Sequence, residues 1–376
     1  MTRRTGFAGV RVGRPARAAR QTARQTARRA AGVLVAGTVL ALAACSSGGS
    51  AEPTPTDVTA RATTSVDKAG APTPDVPPTW PLTGVPGEPA ARAALAVKIE
   101  NTAVARPQTG LEQADVVWET IVEFDVSRFI AVFHSQVPAE VGPIRSVRPM
   151  DPVILAPMHG LLAFSGGQPG ILALVEASGV QMISHDAGAP GMYRTKDRAA
   201  PHNVYGTPQT FWDQADADHQ AAPGEQFLFA RSADRAAAVV AGTPAGTLSF
   251  HLSAASNPSW TWDGASGTWL RSEGSVPATA RSGTRLAAVN VVSVVADHPN
   301  TEFGAQGGAP VPTYTLIGSG DATVATGGKV LAVRWQKDSQ DAPMRLFLPD
   351  GRPAELAPGN TWVELVPAGS GSLTLG

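Results

Sequence analysis

Hydrophobic and polar positions divide the chain into three regimes. Residues 30–44 form a run of small and apolar residues in which Thr38 is the only hydroxylated one. Residues 46–78 are dominated by Gly, Ser, Thr, Ala, Pro and Asp, with no aromatic residue and only scattered Val. Such a stretch cannot offset its ordering entropy by burial and reads as a disordered tether. From Trp80 onward apolar residues return in runs and alternations. Segments 115–124 and 127–134 read as long buried strands joined by a short turn, and 94–99 and 161–164 as shorter strands. Segments 151–158, 170–178 and 207–217 read as helices, the last opened by Thr207 as cap and Pro208 at the first helical position. Beyond about Ala222 the pattern shifts to short strands near 247–252, 259–262, 269–272 and 286–295. Turn residues at Asp263-Gly264, Gly327-Gly328 and Asp350-Gly351 predict hairpins there. The pattern as a whole predicts an α+β fold, a mixed α/β first half followed by a predominantly antiparallel β second half, with bodies at residues 80–222 and 243–372.

Charge changes the reading of the amino terminus. Nine arginines and no acidic residue precede the apolar run. That is the charged region and apolar core of an export signal, predicted over residues 1–44. A spanning helix needs roughly 20 apolar residues, more than this run supplies. Leu42-Ala43-Ala44-Cys45 resembles the lipobox of bacterial lipoproteins, in which the cysteine thiol receives fatty chains such as palmitate and cleavage occurs just before it. Cys45 is the only cysteine of the 376 residues. No intramolecular disulfide is available, and the thiol belongs to the anchor. Each buried methylene contributes about 0.8 kcal/mol, so two or three chains hold a protein stably. Residues 45–79 then form a lipidated cysteine and linker whose coil-like reach is roughly 30 Å. Arg28-Arg29 invites a twin-arginine reading, but Ala30-Ala31-Gly32 lacks a bulky apolar pair, and general secretion is expected. The expected address is the extracytoplasmic face of the bacterial cell membrane, with the bilayer as partner through acylated Cys45.

The whole chain has a net charge of −1. Without residues 1–44 it keeps 21 basic against 31 acidic residues, a net of −10. An acidic body argues against nucleic acid as partner. A cell-wall fragment or an envelope protein is expected instead, and any cationic site must be local.

Four clusters between Arg106 and Tyr205 hold most of the unusual polar residues. They are Arg106-Pro107-Gln108-Thr109-Gly110-Leu111, the stretch from Glu119 to Arg128, Gly142-Pro143-Ile144-Arg145-Ser146-Val147-Arg148-Pro149-Met150-Asp151, and Pro201-His202-Asn203-Val204-Tyr205. With Gly328-Lys329, Arg334-Trp335, Lys337 and Pro358-Gly359-Asn360-Thr361-Trp362 in the second half, the chain resembles the YerB-like lipoproteins, a bacterial family with a two-part domain of unknown function. The resemblance implies one part over about 82–217 and another over about 243–366, and no reaction. It departs at Glu123-Phe124-Asp125-Val126, where a Glu-Gly-Gly-like turn is the expected pattern.

The chemistry must therefore come from the residues. Arg145 and Arg148, bracketed by Pro143 and Pro149, present guanidinium forks suited to a carboxylate or phosphate. The opposing reading pairs them internally with Glu119, Glu123, Asp125 or Asp151. His202 with Asn203 and Tyr205 gathers a proton-transfer group, an amide and a phenol within four residues, and equally suits a loop corner. Arg106, Arg128, Arg145, Arg148, Asn203 and Tyr205 are thus candidate ligand-binding residues, and His202, Glu119 and Asp151 candidate catalytic ones. Ala163-Phe164-Ser165-Gly166-Gly167 approximates a nucleophile elbow, but Gln168-Pro169-Gly170 interrupts the helix that should follow. The seven histidines show no helical His-x-x-x-His pair, and no metal or cofactor is expected. The tryptophans of the second half are expected in the core. Two functions stand: a non-catalytic envelope lipoprotein binding its ligand or partner through an Arg/His cleft, which takes precedence, and an envelope hydrolase or transferase acting on wall polymer with His202 as general acid or base.

Overall fold

Five strands of the first half carry the site. They are β1 (Leu95–Glu100), β2 (Val116–Ile121), β3 (Ser127–Phe133), β4 (Leu161–Phe164) and β5 (Gln181–Ser184). Every residue of β1 to β4 is buried, which is why their sequences read as continuous apolar runs rather than alternations. The computed structural model describes residues 76–376. The export signal, Cys45 and most of the linker lie outside the described residues.

β2 and β3 pair antiparallel, from Val116 opposite Val132 to Ile121 opposite Ser127. β3 pairs antiparallel with β1, β1 runs parallel to β4, and β4 parallel to β5. On its other side β2 runs parallel to Thr361–Pro367, with Glu119 opposite Glu364. That strand continues the sheet through Asn290–Ala296, Gly318–Thr326, Lys329–Lys337 and Arg345–Phe347. One eleven-stranded sheet therefore crosses both halves of the sequence. A second sheet is built from Val276–Pro277, Thr268–Glu273, Pro258–Asp263, Thr247–His251 and Ser372–Leu375, in that order, all antiparallel.

The fold is α+β, with a β-rich second half. Gly327 and Gly328, at φ 61° and 70°, close the hairpin between Gly318–Thr326 and Lys329–Lys337, the backbone that a two-residue turn of this hand demands. Antiparallel pairing dominates the second half except between Asn290–Ala296 and Thr361–Pro367, which run parallel. Helices are short: Asp151–Leu155, continued by the 3-10 turn Ala156–Met158, then Pro169–Ala177 and Pro208–Trp212. The last ends well before Ala217, and the Thr207 side chain makes no capping hydrogen bond. Trp212 closes it instead, buried with its indole N–H donating to the Ala93 carbonyl at 2.9 Å. Trp260, Trp269, Trp335 and Trp362 are core residues. No described helix is long and apolar enough to cross a membrane.

Candidate functional site

The segment Gly142–Arg148 is threaded along the carboxyl ends of parallel strands. Glu100 N–H donates to the Pro143 carbonyl at 2.9 Å, and Arg145 N–H to the Lys98 carbonyl at 2.8 Å. Ser165 N–H donates to the Arg145 carbonyl at 3.0 Å, and Val147 N–H to that of Gly166 at 3.0 Å. The segment thus bridges the ends of β1 and β4. Ile144 N–H donates to the Val204 carbonyl at 2.7 Å, which draws the Pro-His-Asn loop onto the same place. Gly142 is needed at this junction, because a Cβ there would lie 2.7 Å from the Tyr205 ring. Crevices beyond the carboxyl ends of parallel strands are where open α/β sheets bind ligands.

A cleft of about 740 Å³ opens there. Glu100 from β1, Ser127 and Arg128 from β3, Arg145, Ser146 and Arg148, Gly167 and Gln168 beyond β4, Asp186 beyond β5, and His202 line it. Gln168 precedes the helix Pro169–Ala177, whose amino end favours negative charge.

Within the cleft the arginines have unequal freedom. Arg148 is buried against Glu123: Nε donates to Oε2 at 2.6 Å and Nη2 to Oε1, while Nη1 donates to its neighbour's carbonyl at Val147. Arg128 donates to Glu123 at 3.2 Å and to the Ser146 carbonyl at 2.8 Å. Burial pushes both guanidinium groups down to about 10, and for Arg128 the neighbouring Arg145 charge adds to it. Both stay protonated at neutral pH. Arg145 is looser. Its Nη1 donates to the Pro201 carbonyl at 3.1 Å, and its Nε lies 3.6 Å from Glu100 Oε2. Neither of those last two atoms has a hydrogen-bond partner among the described residues.

His202 is held from one side. Its Nδ1 lies 2.7 Å from Glu100 Oε1, which also accepts from the Thr102 hydroxyl at 2.7 Å. A carboxylate on Nδ1 sets the tautomer and leaves Nε2 for chemistry or ligand contact. The ring is about 29% exposed, so that face reaches solvent.

Other candidates do not meet in the cleft. Glu119 lies in a fully buried network: Arg271 donates to Glu119 Oε2 at 2.7 Å, to Glu364 at 2.9 Å and to Glu273 at 2.8 Å, and Trp260 donates to Glu364 at 2.9 Å. Burial opposes ionisation of Glu119, but the Arg271 charge outweighs it and holds its pKa below the usual range. Burial and the Glu119 charge push Glu364 well above that range. Glu119 is closed off from any substrate. Asp151 is likewise fully buried beneath the cleft, paired with Lys98 at 2.7 Å and accepting from Arg148 N–H at 2.8 Å. Arg106 borders a different cavity and donates to the Asn101 carbonyl. Asn203 accepts from Arg194 at 2.8 Å and donates to the Thr195 carbonyl. Tyr205 is buried against Gly142. Glu100 and Asp186 carry no local signal in the sequence: one is a single acid ending β1 and the other lies two residues beyond β5, and only the sheet order brings them to the cleft. Among the described residues no group of three or more His, Cys, Asp or Glu side chains is placed to hold a metal.

The chain is similar to known proteins. Residues 82–221 match the N-terminal domain, and residues 248–363 the C-terminal domain, of the family described as protein of unknown function (DUF3048). The chain is 26% identical over 299 residues to the lipoprotein candidate YerB of Bacillus subtilis (strain 168), covering 76% of this chain and 86% of the relative. The crystal structure of YerB from Bacillus subtilis superposes with a TM-score of 0.67 at 24% identity, over 79% of this chain and 99% of the other. That likeness shows the fold.

Proposed function

Because the chain belongs to the YerB-like family of proteins of unknown function (DUF3048), we propose that it is a lipid-anchored extracytoplasmic lipoprotein that binds an anionic ligand of the cell envelope in the cleft between Arg145 and His202. Anchoring rests on the lipobox at Cys45 and on the similarity to a lipoprotein candidate. Binding rests on one observation: the Arg145 side chain, about 19% exposed at the cleft, is held by a hydrogen bond to the Pro201 carbonyl and a loose 3.6 Å approach to Glu100, while its neighbours Arg128 and Arg148 are buried and tied to Glu123. A guanidinium held in place but incompletely paired is preorganised for a carboxylate.

The test is titration of the full chain in detergent with soluble fragments of purified peptidoglycan. Wild type binds and Arg145→Ala, with an unchanged melting temperature, does not. Absence of binding by the folded wild type overturns the proposal. A second reading, hydrolysis or group transfer on wall polymer, is favoured by the carboxylate-oriented His202. It requires fragment turnover by wild type that His202→Ala abolishes.

A further inference from the structure

Phe124 lies on the rim of the cleft with 63% of its surface exposed. Its backbone is left-handed, φ 62° and ψ 26°, and Asp125 follows at φ 57°. Bulky residues rarely take this conformation, and glycine takes it without cost. The turn that sends Glu123 inward to Arg148 therefore forces residue 124 outward, and the residue there is a large aromatic ring with no core to fill. Strain and exposure together point to a ring kept for contact with something outside the chain.

Charge limits what that is. Three arginines line the cleft against three carboxylates, Glu100, Glu123 and Asp186, with His202 as the remaining titratable group. Beneath them Lys98 and Asp151 cancel as a buried pair. The lining is neutral with His202 neutral and carries one positive charge with His202 protonated. A doubly charged phosphate would exceed the cations of the lining in either state, whereas a single carboxylate is matched with His202 protonated. The same wall offers a carboxylate at Asp186 and a hydroxyl at Ser146, which suit the hydroxyl groups of a sugar.

Resting on the binding role proposed above, we infer that the ligand is a sugar bearing one carboxylate, its acid group held at Arg145 and the apolar face of its ring stacked on Phe124. The roles separate cleanly: Arg145 selects the acid and Phe124 selects the ring.

Three matched probes test this by calorimetric titration of the full chain: N-acetylmuramic acid, N-acetylglucosamine, which has the ring without the acid, and lactate, which has the acid without the ring. N-acetylmuramic acid is expected to bind at least about tenfold more tightly than either, the size of one good aromatic or charged contact. Phe124→Gly and Phe124→Asn, both compatible with a left-handed backbone, are expected to lower its affinity to that of lactate while the melting temperature is kept or raised. If lactate binds as tightly as N-acetylmuramic acid, or the Phe124 variants bind like wild type, the stacking role is overturned and the carboxylate site stands. Equal binding of N-acetylglucosamine and N-acetylmuramic acid overturns the acid selection. If none of the three binds while peptidoglycan fragments do, the inference fails and the binding proposal survives. If nothing binds, both fail.

Discussion

Arg148 grips Glu123 through two donors, at 2.6 Å for the Nε bond, whereas Arg145, three residues earlier, meets Glu100 only at 3.6 Å. The two arginines of one motif therefore have different tasks. Arg148→Ala leaves Glu123 buried with Arg128 as its remaining cation and is expected to destabilise the fold by about 2–4 kcal/mol. Arg145→Ala removes one hydrogen bond and a loose 3.6 Å ion pair from a partly exposed side chain, while Glu100 keeps Thr102 and His202 as partners, and should change stability by under about 1 kcal/mol. Urea denaturation of both variants checks the contrast, and equal losses would make Arg145 structural as well.

Arg271 is expected to be among the most sensitive positions. It is fully buried, lies 4.8 Å from the Trp362 ring centroid, and joins the second sheet to two strands of the central one through Glu119 and Glu364. Arg271→Met keeps the volume but leaves those carboxyls without a cation. A loss of about 3–5 kcal/mol is expected, read as a drop in the denaturation midpoint. Arg271→Met with Glu119→Leu should recover part of it, which a purely steric role for Arg271 would not allow.

The same network explains where sequence reading stopped. Strands β2 and β3, the helix near Asp151 and the Gly327-Gly328 hairpin were legible because apolar runs and turn residues are local signals. Glu119 stands in the sequence both as a candidate catalytic acid and as a candidate internal partner of Arg145 or Arg148, because an acid within a buried strand has no local partner. Its cation stands 152 positions away, in the other sheet. Glu100 and His202 are separated by 102 positions and meet only because Ile144 pairs with Val204. Arg145, Arg148 and His202 were legible as a group because proline and glycine mark their loops. The expected glycine-rich turn at Glu123-Phe124-Asp125 is also instructive, since Phe124 and Asp125 keep the left-handed backbone without the glycines.

That backbone makes a stability prediction independent of any ligand. A left-handed conformation costs a non-glycine residue roughly 1–2 kcal/mol, and glycine returns roughly 0.5–1 kcal/mol of it through its more flexible unfolded state. With most of the Phe124 side chain in solvent, little burial is lost. Phe124→Gly is expected to stabilise the fold by about 0.5–1 kcal/mol in chemical denaturation. A clear loss of stability would show that the ring packs against the protein.

Lys98 gives the pH dependence of the cleft floor. It is fully buried against Asp151, and burial, only partly offset by that carboxylate, lowers its pKa from 10.5 to about 8. Between about pH 8 and 10.5 the unfolded chain holds a proton on this amine that the folded chain has lost. Stability from this group therefore rises with pH across that window, by up to about 3 kcal/mol. Lys337, lowered by burial to about 8 as well, adds a slope of the same sign, so wild type alone cannot isolate Lys98. Lys98→Met removes one contribution and leaves the other. Asp151 keeps its bond from Arg148 N–H in the variant, and its unpaired charge lowers stability by an amount that does not change with pH. The stability difference between wild type and Lys98→Met, measured by urea denaturation from pH 7 to 10, is therefore expected to widen in favour of wild type above pH 8. A constant difference would mean that Lys98 keeps an ordinary pKa, and that water reaches the floor of the cleft.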